Sequence, residues 1–354
     1  MSQPAERPSG RWRRFRFRAS YLLIPVALLV LAGAILQLIP ANVYIFLPGQ
    51  ALAVAPMISV LDHRVPPKKG QLLLTDVSLY RANHLLEQLF AQLQPGADTQ
   101  PASSVAGGLS ESQYNQFNLQ LMTDSTQAAE VAALYRVPGL HPHQAPPGPQ
   151  IASILPGTPA ASVLRPGDIV VAVNGHRVRK PADVGPEVRR VLPGALLSIL
   201  IQRQGRTTTV HVRTIASKHG LPAKNGKTAL IGITLSPRYI LPVKVRINPG
   251  DIGGPSAGLM FALGLIQRLE PQDITHGCII AGTGEIDYAG NVMPIGGAKQ
   301  KVIAASRAGA RYFLVPNVKD NVQPAEANRG SVRVVPVNTL DQALSFLKRI
   351  KPCR

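Results

Sequence analysis

The first long apolar stretch, Ala19 to Pro40, carries no charged side chain and would be about 33 Å long as a helix. That length predicts a membrane-spanning helix, bent near Pro25. Beyond it the apolar runs shorten. Val43–Val60 and Gln71–Tyr80 are alternating or continuously apolar around a Pro48-Gly49 turn, which predicts strands, and the leucine spacing from Arg81 to Leu93 predicts a helix. Pro, Gly, Ala and Ser dominate Gln94–Leu109, which reads as a loop, and helical spacing returns over Tyr114–Tyr135. A proline-dense loop, Val137–Pro149, separates this helix from closely spaced strand-like runs that continue to Thr214. After a Lys- and Gly-rich hinge, Lys218–Lys227, strands are expected at Ala229–Leu235, Val243–Ile247, Gly277–Ala281, Tyr312–Val315 and Val332–Val337. Helices are expected to begin near Ser256, Lys299 and Leu340. The alternation predicts an α/β (α+β) chain. Its expected divisions are a basic tail at 1–18, the span at 19–40, a platform segment at 41–136, a β-rich domain at 137–216 and an α/β domain at 228–350.

Composition narrows the class. With 354 residues, 45% of them hydrophobic, the chain can bury the cores of two or three domains and is not a disordered protein. Lys and Arg number 38 against 19 Asp and Glu, a formal charge of +19. Arg7, Arg11, Arg13, Arg14, Arg16 and Arg18 precede the apolar run, which predicts a cytoplasmic N-terminus, a cell-membrane location with the bilayer as a partner, and everything after Pro40 on the far side. No basic helix with interleaved aromatics accompanies the charge, so nucleic acid is not expected as a partner. The two cysteines, Cys278 and Cys353, imply neither a disulfide framework nor a metal site, and Cys278 in an apolar run reads as a buried free thiol. The histidines are scattered, and no metal or cofactor is assigned.

Two stretches carry chemistry. In Asp251–Arg268 the turn Gly253-Gly254-Pro255 delivers Ser256 to the first turn of an apolar helix. The backbone N–H groups at Gly254, Ser256 and Ala257 are candidates for stabilising negative charge there, and Pro255 suits the first helical position. Taken alone, this stretch favours reading Ser256 as a helix cap. The second stretch, Gly282–Gly309, places Lys299 and Lys301 at the start of a helix, where the dipole disfavours a cation and lowers its pKa. A neutral lysine can take a serine proton and so make the hydroxyl nucleophilic. Two positions apart, these lysines point to different sides of a helix, so at most one faces Ser256. Val302 and Ile303 share the face of Lys299, whereas Ala304, Ala305 and Ala308 flank Lys301, and spacing alone does not choose. Thr283, between two glycines, could offer a hydroxyl to Lys299.

The sequences GGPSAG and PIGGAKQKVIAASRAG resemble the proteolytic domain of Lon proteases, over roughly Ile231 to Leu347. The resemblance implies a ribosomal S5 domain 2-like fold and a serine-type endopeptidase whose Ser-Lys dyad falls on Ser256 and Lys299. Lon proteases usually carry an acid three residues before the serine; here that position is Gly253 and the nearest acid is Asp251. Upstream, GTPAA and LRPGDIVVAVNG resemble a PDZ domain of the bacterial protease type, which implies peptide recognition at a sheet edge. The Gly-apolar-Gly loop of such domains has no clean copy in Pro138–Pro149. No GxxxxGK[ST] phosphate loop occurs in the chain. The arrangement resembles membrane-anchored PDZ-containing Lon-like proteases. It implies an ATP-independent enzyme that cuts extracytoplasmic polypeptides, assembled as a homo-oligomer such as a hexameric ring, with a non-catalytic scaffold or adaptor of another membrane protease as the alternative.

Overall fold

The computed structural model describes residues 20–61, 68–107, 109–216 and 228–353. The expected basic tail and the Lys218–Lys227 hinge lie outside the described residues. The apolar run forms α1, Ser20–Leu38, of 19 residues. At 1.5 Å per residue this is about 28 Å, short of the roughly 30 Å hydrocarbon core of a bilayer. Among the described residues no helix is long and apolar enough to cross a membrane. The expected span at 19–40 is therefore corrected, and with it the single-pass cell-membrane location and the bilayer as a partner. The cause is local: the chain leaves the helix at Ile39 and is already extended at Pro40.

The strands after α1 do not form a separate platform. They are β1, Pro40–Ala53, and β2, Gln71–His84, followed by the helix α2, Leu85–Gln92, and the short β3, Asp98–Pro101. They share one six-stranded sheet with three strands from the C-terminal third: β9, Ile279–Gly282; β10, Tyr312–Pro316; and β11, Arg333–Val337. Its order is β11-β10-β9-β2-β1-β3. The pairs from β11 through β2 are parallel, and β1 is antiparallel to both its neighbours. Alternation along β2 fixes what lies on each face. Leu72 and Leu74 pack with the helix α5, Gly258–Leu269, whose residues are almost all buried. Leu73 turns the other way, onto the helix α6, Ala298–Arg307, with Val302 and Ala305. The helix expected from Arg81 starts instead at Leu85, because β2 continues pairing with β1 as far as His84.

Between these halves lies a second, antiparallel sheet with its own apolar core. It holds β4, Gln150–Ile154; β5, Ile169–Val173; β6, Leu196–Arg203; and β7, Arg206–Arg213, with the helix α4, Pro181–Arg189, beside it. The strand expected to open the α/β domain belongs here. As β8, Ile233–Ser236, it pairs with β4 and ends the order β7-β6-β5-β4-β8. The long helix α3, Glu111–Leu134, runs between the two units and is started by a capping box of Ser110 and Gln113.

The cysteines are bonded to one another. Cys278–Cys353 is a disulfide spanning 75 positions, which corrects the expectation of a free buried thiol. The final residues fold back so that the Cys353 N–H donates to the His276 carbonyl at 3.0 Å, beside the start of β9. No local spacing announces such a return.

Candidate active site

Ser256 sits in a one-turn helix, Pro255–Ala257, just before α5. Gly254 enters that turn at φ 82°, a conformation costly for any residue with a Cβ. The turn is gripped from two sides. On one, α3 accepts the Gly254 N–H at the Asn118 carbonyl, 2.9 Å, and donates the Ser125 hydroxyl to the Pro255 carbonyl, 2.8 Å. On the other, the Ser256 carbonyl accepts from the Gly284 N–H at 2.8 Å and from the Thr283 hydroxyl at 3.0 Å. Gly254 is thus already engaged, which removes it from the expected oxyanion donors and leaves Ser256 and Ala257.

The lysine brought to Ser256 is Lys301. Its Nζ lies 2.6 Å from Ser256 Oγ and 3.1 Å from Thr283 Oγ1. Lys299, the expected partner, points elsewhere and donates to the Ala97 carbonyl at 3.1 Å. The physical reason is helical phase. Ala298, Lys301, Val302 and Ala305 form the buried i, i+3, i+4, i+7 face of α6. Lys299 and Ile303 turn instead toward the loop at Gly96 and Ala97. That stripe was a usable signal: two alanines and a valine at those intervals mark Lys301 as the lysine on the core face.

Lys301 is 4% exposed. Burial pushes its ammonium down to about 7, against the opposing pull of the Asp76 carboxylate. A group of this kind is largely neutral just above pH 7 and can accept a proton. Thr283, fully buried, holds it from behind through the hydroxyl that also braces the Ser256 carbonyl. Ser256 itself is only half-buried and opens onto a cleft of about 670 Å³. One wall of the cleft is β2 from Thr75 onward, and another is the segment around Pro294 and Ile295.

A second concavity, about 430 Å³, lies between α4 and β8. Ala229–Gly232 closes one end, and Phe117 of α3 also lines it. Ile231-Gly232-Ile233 borders this groove, with Gly232 at φ 77°.

With this geometry in place, similarity to known proteins is informative. Residues 243–348 match the Lon protease (S16) C-terminal proteolytic domain, and residues 150–203 match a PDZ domain. Lon protease 1 of Sorangium cellulosum is 35% identical over 167 residues, 46% of this chain and 19% of that protein. The Lon protease of Trichlorobacter lovleyi is 41% identical over 108 residues, 29% of this chain and 13% of that protein. The chain thus spans a fifth or less of the length of these relatives. A solved PDZ domain of an SdrC-like protein from Listeria monocytogenes aligns at 20% identity over 26% of this chain and 92% of its own, with a TM-score of 0.23. The chain carries a serine-type peptidase domain of the Lon kind together with a PDZ domain.

Proposed function

We propose that this protein is an endopeptidase that hydrolyses polypeptides through Ser256 and Lys301. The contact of 2.6 Å between Lys301 Nζ and Ser256 Oγ carries the reading. Neutral Lys301 accepts the Ser256 proton as Oγ attacks a peptide carbonyl. The N–H groups of Ser256 and Ala257 face the developing oxyanion, and a donor of this kind contributes roughly 3 to 4 kcal/mol in acyl transfer. Lys301 then gives its proton to the leaving amine, and water, deprotonated by the same lysine, releases the acyl group. Thr283 keeps the amine aimed at Oγ throughout.

The substrate lies extended. β9 pairs with β2 only from Gln71 to Leu74, and beyond Leu74 the β2 backbone lines the cleft, so a peptide can add there as a further strand. The groove between α4 and β8 offers a second place for an extended chain, since β8 ends its sheet, and it serves recognition or regulation of substrate. The reaction needs no nucleotide, because base, nucleophile and donors all belong to this chain. Assembly into a homo-oligomeric ring is part of the proposal and is read directly by native mass measurement.

The test is digestion of casein by the full chain without nucleotide, alongside Ser256→Ala, Lys301→Ala and Lys299→Ala. The expected result is loss of cleavage by at least about 1,000-fold for the first two and near-parent activity for Lys299→Ala. Activity surviving in Lys301→Ala but lost in Lys299→Ala would reverse the assignment, and equal activity in all four proteins would end the peptidase reading.

A further inference from the structure

We infer that the cleft selects polypeptides bearing a lysine or arginine side chain close to the scissile bond, received by Glu285 and Asp251. This rests on the peptidase reading above and adds the class of substrate.

The observation is an inversion of charge. Basic residues outnumber acidic ones 38 to 19 in the chain, yet the cleft around Ser256 is lined by Asp76, Asp251 and Glu285, with Lys301 as its only cation among the described residues. Lys301 feels Asp76 but is buried with its amine directed to Ser256 and Thr283, which leaves Asp251 and Glu285 without it as a counter-charge. The three carboxylates differ in what already holds them. Asp76 has one oxygen engaged, accepting the Gln50 N–H across the irregular pairing of β1 with β2. Asp251 stands exposed at the mouth, five positions before the nucleophile.

Glu285 is the most telling. It follows Gly284, whose N–H is bonded to the Ser256 carbonyl, so its backbone is fixed beside the nucleophile. It is half-buried, and burial together with the like charge of Asp124 behind it raises its pKa. Asp124 in turn accepts from the Tyr288 hydroxyl at 2.9 Å. Among the described residues Glu285 has no ion-pair partner. A partly desolvated carboxylate facing a like charge is an unfavourable arrangement in isolation. An incoming guanidinium or ammonium relieves it, with charge-assisted hydrogen bonds in a medium less polar than water. The same field disfavours glutamate and aspartate side chains at these positions. Apolar lining from Phe46, Leu79 and Ile295 accommodates the aliphatic stem of a lysine or arginine.

The experiment uses the full chain and a set of quenched fluorescent peptides that differ at one position, scanned over three residues on each side of the cleaved bond, as Arg, Ala or Glu. At one or more positions kcat/KM for the Arg peptide should exceed that for the Ala peptide by about tenfold or more, with the Glu peptide lower still. Glu285→Gln should bring the Arg-to-Ala ratio down severalfold, and Glu285→Lys should invert the preference toward the Glu peptide. Asp251→Asn, a change on an exposed turn that folding tolerates, should lower the ratio as well, and 0.5 M salt should lower it in the parent, as about a threefold shorter screening length than at low salt requires. A ratio near one in the parent, or one unmoved by both Glu285→Gln and Asp251→Asn, overturns the inference while the peptidase reading stands. If the parent cleaves neither casein nor any peptide, the peptidase reading has failed and this inference fails with it.

Discussion

At the scale of the residue, the proposed chemistry depends on one buried amine. Taking Lys301 from its ordinary 10.5 down to about 7 corresponds to something on the order of 5 kcal/mol of differential interaction between its protonation states. The sign follows from linkage. Its folded pKa is depressed, so below pH 7 the folded protein bears the full cost of a buried cation, and that cost is relieved as the pH rises from 7 toward 10.5. Activity has the same direction. The expected kcat/KM rises about tenfold per pH unit below 7 and levels above it, with a midpoint near 7 in a pH–rate profile on a neutral peptide. A midpoint near 10 would mean that the amine titrates as an ordinary lysine and is not the base. Residue-level reading of the sequence placed Ser256, Thr283 and Lys299 together, and the choice of Lys299 rested on the motif resemblance, whereas the structure sets Lys301, on the buried face of its helix, against Ser256 and turns Lys299 to Ala97. Spacing left both lysines open because a local window does not say which face of the helix is buried.

At the scale of the element, α3 matters most for the site, although its sequence predicts no more than a helix. Its helical character was legible from Tyr114 to Tyr135, since apolar spacing is a local property. Its role was not, because the bonds it makes reach far along the chain. Asn118 and Ser125, seven positions apart and therefore on one face after two turns, hold the adjacent residues Gly254 and Pro255 at the start of the turn that carries Ser256. Gln120, on the same helix, accepts the Ile154 N–H at the end of β4 at 3.0 Å. The helix thereby joins the PDZ unit to the turn that carries Ser256. Removing the Ser125 hydroxyl leaves the Pro255 carbonyl without that donor, a loss of about 1 kcal/mol in a typical case. Because the bond positions the nucleophile, Ser125→Ala should lower kcat about three- to tenfold. KM should change little, and the urea midpoint should fall by no more than about 1 kcal/mol accounts for. Equal losses in kcat and in stability would identify the bond as merely structural.

At the scale of the whole molecule, neither domain is continuous in sequence. β1 and β2 complete the sheet of the peptidase unit from the N-terminal side, and β8 completes the PDZ sheet from the far side of the hinge. Periodicity showed each of these strands but assigned it to its neighbour in sequence, because partnership between residues far apart in the chain leaves no mark in a local window. The disulfide escaped for the same reason. It fastens the C-terminal segment to Cys278, which immediately precedes β9, while Thr283 immediately follows the other end of that strand. One short strand therefore links the crosslink to the site. Closing a long loop stabilises a fold by about 2 to 4 kcal/mol in typical proteins, so Cys353→Ser should lower Tm by several degrees in a thermal melt, and reductant should lower the parent to the same value without affecting the variant. Catalysis should respond differently. The Ser256 turn is held by α3 and by Gly284, and Thr283 is anchored by its own N–H on the Leu314 carbonyl at 2.9 Å. The variant is accordingly expected to retain kcat within about twofold at a temperature where it remains folded. A collapse of kcat there would mean that strand β9 transmits the state of the disulfide to the lysine, and that the crosslink controls activity as well as stability.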